Sequence, residues 1–327
     1  MKLALMELLA CPECGEDMDC ASTHSEDRTE VLEGELSCRG CGRTYSVRGG
    51  IPRFVRGDDY ARSFGLQWNR FRREQLDSEN GAGLSRQRFF AETGLHESGM
   101  KGLRLLEAGC GAGRFLEIAA ANDCDVVGVD ISSAVDAAAE TVRDRPNAHV
   151  VQASILALPF KAGVFDLCYS IGVMQHTPDP HRAIAALPRV VRAGGRVALT
   201  VYERKPWTLL NAKYLVRPLT RRLNARVLLG LVQITVTALF PLTEMLFRLP
   251  LIGRAFSFVI PIADHTRTPL RFTQRYRAVV LDTYDMLSPA FDRPLTRDEV
   301  ERALAQAGVI RVRRLPSPGL NLVGEKA

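Results

Sequence analysis

Read for where apolar and polar positions fall, the chain is most regular in its middle. Short apolar runs at about 103–108, 125–130, 148–152, 165–170 and 195–202 are separated by stretches of helical spacing after Gly113, after Ser132 and through Arg182 to Arg192. Runs that do not alternate in and out are covered on both faces, and strands that alternate with helices build a parallel sheet. The pattern therefore predicts an α/β fold of the doubly wound kind. A ligand in such a sheet sits beyond the carboxyl ends of the strands, beside the switch in strand order. Glu107, Asp130, Ser154 and Ser170 all fall at those ends. Leu295 to Gly308 reads as a later helix opened by a capping box of Thr296 with Glu299. Apolar runs at Val309 to Leu315 and Asn321 to Glu325 follow it.

Between the fifth run and that helix the alternation stops, and residues 203–294 read as a mostly helical insertion beside the mouth of the sheet. It opens with Arg204, Lys205, Lys213, Arg217, Arg221, Arg222 and Arg226 against Glu203 alone. Val227 to Thr243 then carries no charge. On a helix, Arg226, Gly230, Gln233, Thr237, Pro241, Glu244 and Arg248 form one narrow polar stripe, and the apolar remainder is wider than a soluble core asks for. A membrane-spanning helix needs about 20 uninterrupted apolar residues, and Pro241 and Glu244 argue against one. Two readings stand. Either the helices pack on one another as a cap, or the cap lines a greasy pocket or dips into a membrane surface through 204–262, its cations meeting anionic head groups.

Ahead of the sheet, residues 57–100 mix charges with isolated aromatics and read as a linker with helices. Trp68 and Phe71, three apart, can share a helix face. Anchoring the linker is weighed slightly above covering a ligand. Ser85 to Phe90 reads as a helix entering the core.

With 327 residues and 46% hydrophobic composition, the chain is long enough for two domains with real cores. A net charge of +6 permits nucleic acid or anionic lipid as a partner without demanding either. Four cysteines stand in pairs, Cys11-x-x-Cys14 and Cys38-x-x-Cys41, within residues 1–56, and four are scattered. Two such pairs suit one closed tetrahedral zinc site, whereas a redox pair would explain only one of them. His24 lies between the pairs in a polar loop and is expected to be solvated. Thiols used this way imply a reducing compartment. Met1 to Ala10 shows no cleavage site, so no signal peptide is expected and the location expected is the cytoplasm, extending to the inner face of the membrane.

Leu105 to Phe115 joins a buried strand to a helix through Gly109, Gly111 and Gly113. A dinucleotide loop is spaced G-x-G-x-x-G, but here Arg114 holds the last place, which disfavours nicotinamide or flavin. The next run ends in Asp130, nearly twenty residues on, where an acid can hold both hydroxyls of a ribose. These residues resemble the class I S-adenosylmethionine (SAM) dependent methyltransferases, in particular the type 11 group, over about Gly102 to Tyr202. The resemblance implies a Rossmann-like sheet of seven strands in the order 3-2-1-4-5-7-6 across 101–327. It also implies SAM on Glu107, Gly109, Cys110, Gly111, Gly113, Asp130 and Ile131, with Ser154, Ile155 and Ser170 near the adenine segment and the fourth strand. Ser154 stands where the family often has an Asp. The context around the cysteine pairs resembles the small zinc-binding activator subunit of tRNA and protein methyltransferases, here fused to its enzyme. Its role as scaffold, substrate reader or oligomer contact stays open.

Methyl transfer from an activated donor asks the protein to hold a nucleophile in line and keep water out. A base is needed only where the acceptor is a hydroxyl or phenol, and His176, in the loop after the fourth strand, is the candidate. Tyr202, His265, Asp282 and Tyr284 are candidates for substrate contact, while His149 and His181 look structural. The leading expectation is O- or N-methylation of a small or lipid-like acceptor. An RNA methyltransferase gripping phosphates and a silent SAM-binding scaffold are the alternatives. A homo-oligomer is left open.

Overall fold

The computed structural model describes residues 1–26, 30–55 and 59–327. Seven strands form the core of the sheet: β5 (Arg104–Ala108), β6 (Asp125–Asp130), β7 (Ala148–Gln152), β8 (Phe165–Ile171), β9 (Val191–Val201), β10 (Val309–Arg314) and β11 (Leu320–Lys326). Counted from β5, they lie side by side in the order 3-2-1-4-5-7-6. The first five pair in parallel, and β11 inserts antiparallel between β9 and β10. Neighbouring residues Leu105 and Leu106 are both fully buried because they serve opposite faces of the sheet. One face is covered by α3 (Leu84–Thr93), α4 (Arg114–Ala121) and α5 (Ala134–Thr141), the other by α6 (Pro180–Ala186) and α11 (Arg297–Gln306). Thr296 and Glu299 make the capping box of α11 reciprocally.

One boundary differs from expectation. The helix placed through Arg192 ends its regular α part at Ala186 and goes on as a 3-10 turn over Leu187–Val190, because Pro188 has no amide to donate to the turn before it. β9 accordingly starts early, with Val191 paired to Phe165.

The first fifty residues extend this sheet. Strands β1 (Met18–Glu26), β2 (Glu30–Cys38), β3 (Thr44–Arg48) and β4 (Ile51–Arg53) form an antiparallel ribbon, and Arg53 pairs in parallel with Gln152 on β7, giving eleven strands in all. The Arg53 guanidinium reaches Gln152 at 2.8 Å and Asp136 at 2.7 Å. The Ala10 amide donates to Pro159 and the Lys161 amide to Leu8, which seats fully buried Leu9 beside Phe160. The side chain of His24, and the join expected between residues 56 and 57, lie outside the described residues.

After β9 the chain leaves the sheet through α7 (Ala212–Thr220), α8 (Ala225–Arg248), α9 (Gly253–Val259) and α10 (Phe272–Leu287). Glu203 and Leu295 bridge in parallel where this segment departs and returns, so its two ends are clamped together. The cap has an apolar cluster of its own, built from α8 and α10 with Phe71 and Leu66 from the region of α1 (Arg62–Arg70). α8 runs through Pro241 for 24 residues.

Because Leu9 is buried in the same cluster as core strands, Leu9→Ala should lower the stability of ribbon and core together by about 3 kcal/mol. Urea unfolding followed by circular dichroism and by tryptophan fluorescence should then shift as one transition, and a shift in only one signal would mean the two parts unfold separately.

Candidate functional site

The carboxyl ends of β5, β6 and β8 open into a cavity of about 430 Å³, within the size range of ligand sites. Its floor is the loop from Gly109 to Ala112. Gly109 has φ +89°, and a Cβ there would lie 2.5 Å from the Val173 side chain, so the turn tolerates no other residue. Asp130 closes the loop from the neighbouring strand. Its Oδ2 accepts the Gly111 amide at 3.0 Å, and its Oδ1 accepts the amide and hydroxyl of Ser132 at 2.9 and 2.7 Å. Burial raises the pKa of Asp130 and the three donors partly offset that.

Glu107 lies beside the loop at the end of β5. Burial pushes its carboxyl well above the usual range, and the Tyr169 hydroxyl, donating at 3.2 Å, opposes the shift. Arg114, the first residue of α4, is half-buried, and desolvation lowers its pKa to about 10, with Arg88 nearby adding to the effect. Its guanidinium donates to Gln75 at 2.5 Å. Both signs of charge therefore line one end of the cavity.

The roof comes from α1, through Phe64 and Trp68, with Tyr60 ahead of it. Trp68 stands over Gly111, where a Cβ would sit 3.1 Å from the indole nitrogen. Trp68 and Phe71 thus divide their work: the first covers the cavity and the second packs in the cap.

His176 sits at the other end. Its Nδ1 lies 2.9 Å from the Phe291 carbonyl, which can only accept, so Nδ1 carries the proton. Nε2 is buried with no protein partner. The ring of Tyr202, at 5.4 Å, meets the imidazole edge-on, and that of Phe64, at 5.3 Å, lies tilted to it. Asp285 faces the same space; burial raises its pKa, and Gln67 donates to it at 2.9 Å. Burial opposes the charged form of His265, but Asp282, 2.7 Å from Nε2, outweighs it and the pKa rises.

Of the residues singled out from the sequence, Glu107, Gly109, Cys110, Gly111, Asp130, Ile131, Ile155, His176, Tyr202, His265 and Asp282 all line this cavity. Four do not. Ser154 caps the turn at Ile155–Ala157 by accepting the Leu156 amide. Ser170 is buried and donates to the Ala108 carbonyl at 2.6 Å, tying β8 to β5. Gly113 packs α4 against Ala138 of α5. Tyr284 lies inside the cap cluster, fully buried. Arg88, Arg114 and Asp285 line the cavity and were not singled out. A basic residue in place of the third glycine of the dinucleotide pattern was a usable signal for Arg114. Arg88 and Asp285 arrive from distant helices and have none.

At the far edge of the sheet, the Sγ atoms of Cys11, Cys14, Cys38 and Cys41 lie within 4.8 Å of one another. Cys11 and Cys41 are 3.7 Å apart and Cys14 and Cys38 3.3 Å. Four ligands at about 2.3 Å around a tetrahedral zinc would be roughly 3.8 Å apart. The donor set therefore fits zinc, with the Tyr45 hydroxyl 3.6 Å from Cys11 as outer support.

Residues 106–199 match the methyltransferase domain family, and residues 2–50 match the Trm112p-like protein family. The ubiquinone biosynthesis O-methyltransferase of Acinetobacter baylyi is 28% identical over 141 residues, 38% of this chain and 56% of that protein. The chain thus spans about half the length of the curated relatives it matches. Among solved structures, the [4+2]-cyclase SpnF is 27% identical, covering 38% of this chain and 46% of its own, with a TM-score of 0.33. A complex between the Haloferax volcanii Trm112 methyltransferase activator and a partner named as a methyltransferase is 13% identical, covering 80% and 96%, with a TM-score of 0.44. Neither structural likeness is close enough to carry an argument. By its two family matches, the chain has a stretch similar to the methyltransferase domain family, preceded by one similar to the Trm112p-like protein family.

Proposed function

We propose that this chain transfers a methyl group from SAM to an oxygen of a small, largely apolar acceptor. The observation that carries the reading is the buried, unpartnered Nε2 of His176 at one end of a cavity whose other end is the glycine loop and Asp130. When bound, SAM supplies a methyl group already activated on a sulfonium. The family match over residues 106–199 supports that donor, and the ubiquinone biosynthesis O-methyltransferases among its relatives support oxygen as the atom methylated.

The residues fit the donor in parts. Asp130 has lone pairs left to accept ribose hydroxyls, and Ile131 and Ile155 offer apolar walls to a base beside it. An amino-acid tail is a zwitterion. Glu107 would meet its ammonium, whose arrival favours the ionised carboxyl that burial opposes. Arg114 and Arg88 would meet its carboxylate. Trp68 and Phe64 close over the loop and exclude water.

For the acceptor, the fixed tautomer of His176 matters most. With Nδ1–H given to Phe291, the lone pair on Nε2 is free to take the proton of a hydroxyl as it attacks. Phe64, Val173, Tyr202 and Met286 give the surrounding space an apolar wall. The cysteine cluster would hold a structural zinc, since all four positions of a tetrahedron are filled by thiolate.

Asp130→Ala should weaken SAM binding by at least about tenfold in titration calorimetry. His176→Gln should leave that affinity within about twofold and lower kcat on an alkylphenol by about a hundredfold; full turnover in this variant would rule out the base. The purified chain should hold one zinc in elemental analysis. Cys38→Ser should lose it and lower the melting temperature of the whole chain, because the ribbon shares the core sheet. An unchanged melt would mean that the metal does no structural work.

A further inference from the structure

The outer side of the cap does not look like the rest of the surface. α8 is apolar on two opposite faces. Leu228, Val232, Val236, Phe240 and Phe247 form the inner face and are buried in the cap. Val227, Leu231, Ile234, Leu242 and Met245 recur at the same helical spacing on the outer face and are exposed, Ile234 by 70%. Only 22% of the most apolar 18-residue window of this helix is buried. A helix seated on a soluble core keeps polar residues on its outer side, whereas α8 keeps its charges, Arg226, Glu244 and Arg248, near its ends.

α7 behaves in the same way. Arg217 and Thr220 turn inward and donate to the carbonyls of Met286, Pro289 and Leu287 at the end of α10. Leu215 and Leu219 turn outward, exposed by 75% and 67%. α7 and α8 both pack against α10, so both present their apolar sides away from it.

Charge completes the surface. Residues 203–262 hold nine Lys and Arg against two acids. Arg204, Lys205, Lys213, Arg217 and Arg248 are engaged with acids of this chain. Arg221, Arg222, Arg226 and Arg254 are exposed and make no ion pair among the described residues.

We propose that this face of the cap rests on an anionic lipid bilayer, with α8 lying in the plane of the interface, and that the methyl acceptor enters from that bilayer. Apolar residues flanked by unpaired arginines match acyl chains beneath anionic head groups. A second copy of the chain would bring the same arginines against these and be repelled. A spanning α8 would have to strip its inner face from α10 and lose the cap's core. The helix that carries Leu215 and Leu219 outward also borders the cavity by its inner side. The Lys213 ammonium of α7 lies 4.9 Å from the centre of the Tyr202 ring, and Tyr202 lines the cavity while remaining partly exposed. The route of the acceptor rests on the methyl-transfer reading; the docking does not.

Flotation of the full chain with phosphatidylcholine vesicles, with and without phosphatidylglycerol, tests the docking. The chain should float with the anionic vesicles at low salt and much less at high salt. Arg221→Gln, Arg222→Gln and Arg226→Gln should each lower the partition by about fivefold. Leu231→Glu with Ile234→Glu should abolish flotation while circular dichroism and SAM affinity stay unchanged. A chain that stays at the bottom with both vesicles overturns the docking, as does a dimer in light scattering that Ile234→Glu splits. Turnover of an alkylphenol in vesicle-free solution reports on the chemistry separately. Its loss would sink methyl transfer and leave the docking result standing.

Discussion

The site depends on one carboxylate held at the tip of the sheet. Asp130 takes three hydrogen bonds, one from the Gly111 amide across the gap between β6 and the loop and two from Ser132 on its own side. The loop it grips is built from left-handed glycines, which in isolation lose the most freedom on ordering. A buried charge-bearing acceptor offsets that loss and fixes the loop in one shape. Everything else around the cavity is arranged against this pair: Trp68 is above Gly111, Val173 against Gly109, and Glu107 and Arg114 are on either side.

What could be read from the sequence is what local period and spacing encode. The core strands were legible because a strand buried on both faces is a bare apolar run, and β5, β6 and β7 fall almost where those runs do. The floor of the cavity was legible for the same reason, since loop glycines and a strand-end acid are close in sequence. The cysteine cluster followed from pair spacing alone. The roof and far wall were legible only in part, through His176, Tyr202, His265 and Asp282. Trp68, Arg88 and Asp285 come from α1, α3 and α10, and only tertiary packing brings those helices together. Tyr284 and Asp285, adjacent in sequence, part company because the roughly 100° rotation between helical neighbours points one into the cap core and the other into the cavity.

The serines show the limit of arguing from strand ends. Ser154 and Ser170 stand at carboxyl ends of strands; Ser170 gives its hydroxyl proton to the Ala108 carbonyl, whereas Ser154 accepts the Leu156 amide and keeps its own O–H to donate. Serine close to a turn or strand end competes for local main-chain groups, so position alone overstates its availability. The ribbon adds a contact that local pattern does not encode. Nothing local in Ile51 to Arg53 announces a partner, but β7 was an open edge, and pairing it with β4 removes a template for aggregation while adding Leu8 and Leu9 to the core.

The cap's place in the fold follows from where its ends are held. Its two ends are clamped at Glu203 and Leu295, directly after the strand that delivers Tyr202 to the cavity. An insertion at that point reshapes the acceptor end while leaving the glycine loop, Asp130 and Glu107 untouched, since those belong to β5 and β6 on the other side of the switch in strand order. His176 belongs to both sides. Its ring is reached by Phe64 from α1 and by Tyr202 just past β9, and its proton is placed by Phe291 from the end of the cap. A change in the cap that moved Phe291 would free Nδ1, and the tautomer that leaves Nε2 bare would no longer be enforced. The helices that shape the acceptor's space thereby also decide whether the base beside it is ready.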